Sequence, residues 1–232
     1  MESLQLEARL CPAGRPGDAA AVFIVSGPLG QPRALAQAVQ LAAQQAEEVL
    51  CIAVCHVEEG KGAASAQAST ASQALCAAFD SVFLVKPSDS AELVQRLVRA
   101  LTMPAEPQWI GCDWGQVRYL VTGSRDPCPA RYGFGAGRGG DPAAMACAAA
   151  MTDIARQGAV LHDARGVCVL IAAAPSVLLG EASMAVLSQL RAAIHPTADI
   201  AQSLGRDNTL EHGVVEVSIF VFGTGTPWLT NQ

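Results

Sequence analysis

Residues 132 to 140 read Y-G-F-G-A-G-R-G-G, and Asp141-Pro142 follow directly. Glycine at alternate positions lets a backbone turn tightly or be approached closely, at an entropic cost that few folds accept without a reason. Two readings compete: a phosphate cradle, or a tight, exposed crossover into a packed helix. A dinucleotide fingerprint needs the order strand, GxGxxG, helix. Gly133, Gly135 and Gly137 give GxGxG, but the preceding TGSRDPCPARY holds two prolines and no buried-strand pattern. No acidic residue stands at the end of a clear second strand about 20 residues on, as the fingerprint requires. The Walker pattern GxxxxGK[ST] is absent. Asp141 is a good N-cap and Pro142 a good first helical residue, so a helix is expected over 141–158. Its free amides suit an anion, yet the Asp141 carboxylate already occupies that place. The crossover reading is favoured.

A second glycine turn, SGPLGQPR (26–33), lies between a strand-like run and a helical pattern, the right place for a phosphate loop. Pro28 and Pro32 each remove an amide donor, however, and only two glycines permit unusual dihedrals.

The periodicity around these turns predicts an α/β layer. AAAVFIVSG (19–27) and CIAVCHV (51–57) are apolar runs of buried-strand type, joined by a helical stretch over 33–50 with Leu35, Val39 and Ala42 on one stripe. A small-residue helix (65–79), a strand (81–85) and an amphipathic helix (88–104) follow. Ser88 or Ser90 would cap the last of these, with Leu93, Val94, Leu97, Val98 and Leu101 on its apolar face. Pro104 and Pro107 mark a boundary, giving a truncated α/β domain over 1–107 and an α+β domain over 108–232. In the second domain, DWGQVRYLV reads as a turn followed by a strand or a short helix. A strand is expected over 164–175, and a helix over 176–194 with Met184, Leu187 and Leu190 at helical spacing. An edge strand should follow near 198–208. The clearest strand spans 212–225, with Val215, Val217, Ile219 and Val221 on one face.

The 232 residues are 51% hydrophobic and only 16% charged, so part of the weakly charged surface is expected to meet a partner, and a homodimer fits. Fifteen basic residues against 21 acidic ones give a net charge of −6 and no basic stripe, which argues against nucleic acid. Eight cysteines show no CxxC spacing, and no secretory signal opens the chain, so a reducing cytoplasm is the expected compartment. No apolar run is long enough for a membrane span. Cys51, Cys55 and His56 do not point one way on a strand, so no metal site is expected; no cofactor is expected either. Ser176 and Ser183 lack a GxSxG context. Cys112 and Asp113 would need a histidine partner that the sequence does not specify. Trp109 and Trp114 bracket a short loop in a chain with three tryptophans, the kind of residue that anchors interfaces.

Taken together, the segments resemble the bacterial tubulin-like cell-division GTPase family, FtsZ, over roughly residues 20 to 226. YGFGAGRGGDPAAMACAAAM resembles the glycine-containing bend into a helix in that family's C-terminal domain. ARGVCVLIAAAPSVLLGEASMAVLSQLRAA resembles its strand "ARGVLVNI" and following helix, and VVEVSIFVFGTG its last core strand. In the first half, AAAVFIVSG is similar to the strand before the signature loop. The resemblance implies a partial parallel-sheet remnant of the nucleotide domain followed by an α+β C-terminal-like subdomain. It also implies what is missing. The signature loop GGGTGTG is replaced by GPLGQP, and the strands that hold the rest of the nucleotide are expected to be absent before Val22. QWIGCDWGQVR stands at the loop that inserts toward the next subunit, with Gly111, Asp113 and Gln116 in place of its Asn, Asp and Asp. The implication is a non-enzyme that binds no nucleotide and works through protein contacts, as a cell-division or filament regulator. Its partner would be a true FtsZ or a second copy of itself, and the contact candidates are Trp109, Gly111, Asp113, Trp114, Gln116 and Arg118. Two alternatives remain open: a small-molecule enzyme with a site between the halves, and a GTPase completed by a partner chain.

Overall fold

A computed structural model describes residues 6–12, 21–29, 31–46, 49–56, 74–85, 87–102, 109–111, 114–123 and 130–223. These residues fall into two compact units. One holds the described residues up to Thr102 together with Ala130; the other holds 109–123 and 131–223.

The first unit is built on a four-stranded sheet in the order β1-β2-β3-β4, with β1 Glu7–Pro12, β2 Ala21–Gly27, β3 Val49–His56 and β4 Ser81–Val85. β2, β3 and β4 run parallel, and β1 adds antiparallel to β2. The apolar runs expected to be strands are strands because both of their faces are covered, as parallel sheets require. Phe23, Val25, Cys51, Ala53 and Cys55 pack with Leu29, Ala38, Leu75 and Phe79 on one side. Helix α1 (Pro32–Ala42) supplies part of that cover. Its buried stripe is Ala34, Ala38 and Ala42, while the larger Leu35 and Val39 lie at its margin, so the expected stripe is displaced by one residue toward the alanines. Helix α2 (Pro87–Thr102) buries Leu93, Val94 and Leu97 and contacts β2 and β3. It starts at Pro87, so Ser90 lies inside its first turn rather than before it. Of the helix expected over 65–79, residues 74–78 are helical, and the remainder, apart from Phe79, lies outside the described residues.

The second unit carries a five-stranded mixed sheet in the order β5-β8-β7-β9-β6. Its strands are β5 Trp109–Gly111, β6 Arg131–Arg138, β7 Gly166–Ala173, β8 Asp199–Arg206 and β9 Val214–Phe222. β7 is buried on both faces along its whole length. β8 pairs with β5 on one side and β7 on the other, so it is an interior strand, and the expectation of an edge strand there is corrected. Three helices belong to this unit: α3 (Trp114–Gly123), α4 (Pro142–Arg156) and α5 (Leu179–Ala193). Val215, Val217, Ile219 and Val221 form one fully buried face of β9, as the alternation predicts. On α5 the buried line is Ala182, Val186 and Leu190; of the three residues expected on its stripe Leu190 is buried, Leu187 half-buried and Met184 70% exposed.

The glycine stretch is where structure and sequence reading part most. It is no crossover: residues 131–138 form β6, an edge strand antiparallel to β9. Gly133, Gly135 and Gly137 all face α4. A Cβ on Gly137 would lie 2.0 Å from the carbonyl oxygen of Pro142, one on Gly135 2.0 Å from that of Ala146, and one on Gly133 2.2 Å from that of Ala150. The pairing is metric. Four helical residues advance about 6 Å and two strand residues about 6.7 Å, so a helix line at every fourth residue keeps step with a strand line at every second. The helix therefore lies backbone to backbone on the strand, antiparallel to it, with glycine Cα–H groups against its carbonyls. No side chain fits between them.

Helix α4 also closes the sheet edge that β6 leaves open. Gln157 Nε2 donates to the Tyr132 carbonyl at 2.7 Å, and Asp153 Oδ2 accepts from the Phe134 amide at 3.4 Å. The outward carbonyl of Tyr132 and the outward amide of Phe134 are thus engaged by α4. In an antiparallel ladder the alternate residues turn theirs to the partner strand, so the glycine amides face β9. The N-cap expected at Asp141 is present, its side chain accepting from the Ala144 amide at 3.0 Å.

Gly135→Ala is expected to lower stability by about 2 kcal/mol or more, through overpacking against a backbone that cannot rotate away. Gly140→Ala, with nothing within 4 Å of its added methyl, should change it by less than about 0.5 kcal/mol. Urea denaturation of the two variants beside the parent measures both; equal midpoints would remove the helix seat from the account.

Candidate functional site

Ligands of open α/β sheets bind beyond the carboxyl ends of the parallel strands. In the first unit that position falls after Gly27, Cys55 and His56. The turn after β2 is folded onto itself: the Leu29 amide donates to the Gly27 carbonyl at 2.8 Å and the Gln31 amide to the Pro28 carbonyl at 2.9 Å. Pro28 and Pro32 have no amide hydrogen. Leu29 is fully buried in the core on the α1 side. A phosphate cradle needs several backbone amides converging on one point. Here two are absent, two point at the turn's own carbonyls, and an apolar side chain plugs the turn.

Three polar side chains meet at the same strand ends on the opposite face. Ser26 is the penultimate residue of β2, His56 the last of β3, and Ser90 projects from the first turn of α2. Ser26 Oγ and Ser90 Oγ lie 2.8 Å apart, His56 Nε2 is 2.7 Å from Ser90 Oγ and 3.2 Å from Ser26 Oγ. Both serines are buried and the imidazole is half-buried. Burial pushes the His56 pKa below its ordinary value, and the Glu7 carboxylate opposes this more weakly. The cluster went unforeseen in the sequence. Its signal is the polar residue near the end of each of two apolar runs, Ser26 and His56, which parallel pairing puts on neighbouring strands, Ser26 opposite Val54 and His56 two residues beyond it.

The segment read as an inserting loop, 109–118, is a short strand and a helix. β5 pairs Trp109 with Gly205, Ile110 with Leu204 and Gly111 with Ser203. Gly111 sits at φ +128°, and a Cβ there would lie 2.1 Å from the Gln202 carbonyl oxygen, so glycine is required by the pairing itself. Helix α3 begins at Trp114 and buries Val117, Leu120 and Val121. Gln116 is exposed and Arg118 half-buried on it. Asp113 and Cys112 lie outside the described residues, as do the side chains of Trp109 and Trp114. The exposed apolar side chains of this region are Ile110 and Tyr119, 64% and 65% exposed, neither of which the sequence reading singled out.

The remaining candidates have structural roles. Ser176 Oγ accepts from the Gly213 amide at 2.9 Å, and Ser183 is bonded to Gln202. Cys51, Cys55 and Cys168 are buried. Burial, and the Asp80 carboxylate beside it, push the Cys51 thiol up to about 11, so it stays protonated at neutral pH and serves as a small apolar group. His162 and His195, distant in sequence, meet edge to face at 5.2 Å. Among the described residues there is no group of three or more His, Cys, Asp or Glu placed to hold a metal ion, and no helix long and apolar enough to cross a membrane.

No protein-family model matches the sequence, and no curated protein matches it. Solved structures do match its fold. An empty FtsZ dimer from M. jannaschii superposes with a TM-score of 0.60 at 16% identity, covering 82% of this chain and 67% of that one. CetZ2 from Haloferax volcanii, in a GTPgS-bound protofilament, gives 0.57 at 17% identity over 90% of this chain and 66% of that one. CetZ from Methanosaeta thermophila gives 0.59 at 12% identity, over 87% and 60%. The chain therefore has an α/β fold of the FtsZ/tubulin class with mixed parallel and antiparallel sheets, and it spans 60–67% of the length of these three proteins.

Calorimetric titration of the isolated chain with GTP or GDP and magnesium is expected to give only heats of dilution. Binding at micromolar concentration would mean that the turn after β2 opens and that its internal bonds are not its resting state.

Proposed function

We propose that this chain uses an FtsZ/tubulin-like fold for protein–protein contact without hydrolysing nucleotide, as a regulator of filaments built by another tubulin-like chain or by itself. One observation supports the reading above the others: the turn after β2, where the resembled family wraps phosphate, spends the Leu29 and Gln31 amides internally and buries Leu29. GTP carries several negative charges, which need converging amides, a cation and enclosure. A scaffold without that cradle retains what packing gives it, a rigid shape and a surface. Two of the matched structures are themselves assemblies, a dimer and a protofilament.

In this reading the contact surface is the segment from Trp109 to Tyr119. It combines exposed Ile110 and Tyr119 with Gly111, Gln116 and Arg118, and the sequence adds Trp109, Asp113 and Trp114. Its described residues are held in a paired strand and a helix, which reduces the ordering entropy that binding through them must overcome. Inserted against a working GTPase subunit, it would bring Gln116 where the family carries an aspartate. It would then occupy the stimulating position without the full charge set, slow hydrolysis, and cap one filament end.

The test is affinity capture of partners from the source cell followed by measured binding of variants. Tyr119→Ala, Trp109→Ala and Trp114→Ala, each checked by circular dichroism, are expected to weaken binding about tenfold or more for at least one of the three. Unchanged affinity for all three would move the contact off this segment.

A further inference from the structure

β1 is the outer strand of the first unit's sheet. Glu7, Ala8, Arg9 and Leu10 are all exposed, Leu10 to 61%, and among the described residues no strand pairs with its far side. An unpaired edge is a row of free donors and acceptors that another chain can adopt.

The hydrogen bonds of the sheet fix which residues hold that row. Asp80, just before β4, engages both backbone groups of Cys51: its amide donates to the Cys51 carbonyl at 2.9 Å, and its Oδ2 accepts from the Cys51 amide at 2.7 Å. Beyond β4 the Val82 carbonyl accepts from the Ala130 amide at 2.9 Å, so Val82 turns away from β3 and its neighbours turn toward it. Cys51 therefore faces β4, and Leu50 and Ile52 face β2. A residue in a parallel ladder bonds to the two that flank its partner, so Leu50, partnered with Val22, uses Ala21 and Phe23. Val22, Ile24 and Ser26 are left to face β1, where their partners are Cys11, Arg9 and Glu7. The alternate residues of β1, Ala8 and Leu10, turn their amides and carbonyls outward. Pro12 falls in the same set, so the amide hydrogen it lacks is one that β2 does not need.

Charges on an edge strand ordinarily keep other chains away. Here the two are of opposite sign and flank a centre: Leu6-Glu7-Ala8-Arg9-Leu10 runs apolar, charged, alanine, charged, apolar from either end. With a second copy laid antiparallel about Ala8, each Glu7 stands opposite the second copy's Arg9, and each Leu10 opposite the second copy's Leu6. Ala8 meets Ala8 as a hydrogen-bonded pair, as its outward groups require, and the charged residues meet in the closer, non-hydrogen-bonded pairs. Arg9 already lies 3.5 Å from Glu7 of its own strand, so the pairing gives each charge two opposite neighbours. Centring the pair on Glu7 or on Arg9 would instead set like charges against each other. Leu6 packs against the core on the α1 face, and in the Ala8 register it covers the exposed Leu10 of the other copy.

We propose that β1 joins two copies of this chain edge to edge, antiparallel and centred on Ala8, so that two four-stranded sheets become one of eight strands. The partner is a second copy because the strand is complementary to itself in both charge and hydrogen bonding. This contact goes beyond the function proposed above and uses no residue of the 109–119 segment.

Sedimentation equilibrium of the full chain, from about 1 to about 100 μM at low salt, reads this directly. The parent should show a monomer–dimer equilibrium. Glu7→Arg and Arg9→Glu each turn two attractive pairs into repulsive ones and should weaken it about tenfold or more. A chain carrying both exchanges restores opposite signs in every pair and should recover the parent's constant. An equimolar mixture of the two single variants should dimerise more tightly than either alone. Ala8→Pro removes an outward amide that β2 does not use, and should weaken the dimer while leaving the circular dichroism unchanged. Tyr119→Ala should leave the dimer as it is, so failure of this contact and failure of the 109–119 contact are told apart. A parent that stays monomeric at the highest concentration, a dimer that none of the β1 variants weakens, or a double exchange as weak as the single ones overturns the proposal. Should Ala8→Pro fail to fold, the exchanges at the exposed Glu7 and Arg9 decide alone.

Discussion

The contact on which the second unit depends is that of α4 with the bare backbone of β6. Three glycines at alternate positions meet three helix carbonyls at every fourth position, and the near-equality of those two advances keeps strand and helix in register for two turns. A helix that close reaches past the strand, so Asp153 and Gln157 engage the outward backbone groups of Phe134 and Tyr132. The same seat fixes the inner face of α4: Ala143, Ala146, Cys147, Ala150 and Ile154 form its buried line, and their small size lets α5 and the β9 valines pack against them. Alanine richness, which in composition looks like an undemanding surface, is at these positions a demand of the geometry.

Much of the fold was legible because burial on both faces leaves an unambiguous mark. β2, β3, β4, β7 and β9 announce themselves as apolar runs, and Asp141-Pro142 announces the start of α4. β6 was not legible for a physical reason. Its inward positions are glycines, so the alternation of large apolar and polar residues that signals a strand is missing, and the same residues imitate a phosphate loop. The helix faces were misjudged on a related ground. Leu35, Val39 and Met184 are bulky and were expected inward, but the inner line is Ala34, Ala38 and Ala42 on α1 and Ala182, Val186 and Leu190 on α5. β8 was expected at an edge because its partner β5 is only three residues long and contributes no pattern of its own.

The candidate site was legible by what it lacks. Two prolines and two glycines in GPLGQP suffice to predict that amides are few, and the structure adds that the Leu29 and Gln31 amides are turned inward with Leu29 as a plug. The triangle of Ser26, His56 and Ser90 was not legible, since its members lie 30 and 34 residues apart and only parallel pairing plus the landing of α2 brings them together. Both features lie at the carboxyl end of the same strands. One has been filled by apolar packing, the other by a hydrogen-bonded set of side chains, and neither presents, among the described residues, the converging donors that a nucleotide needs.

The central claim is that the glycine run is a seat for a helix and not a cradle for phosphate. Residue-resolved amide hydrogen exchange of Gly133, Gly135 and Gly137, with and without GTP and magnesium, tests it most directly. If the glycine amides are bonded to β9 beneath α4, they exchange slowly and at the same rate whether or not nucleotide is present. Rapid exchange in the free protein, slowed by GTP, would show amides awaiting an anion and would contradict the account.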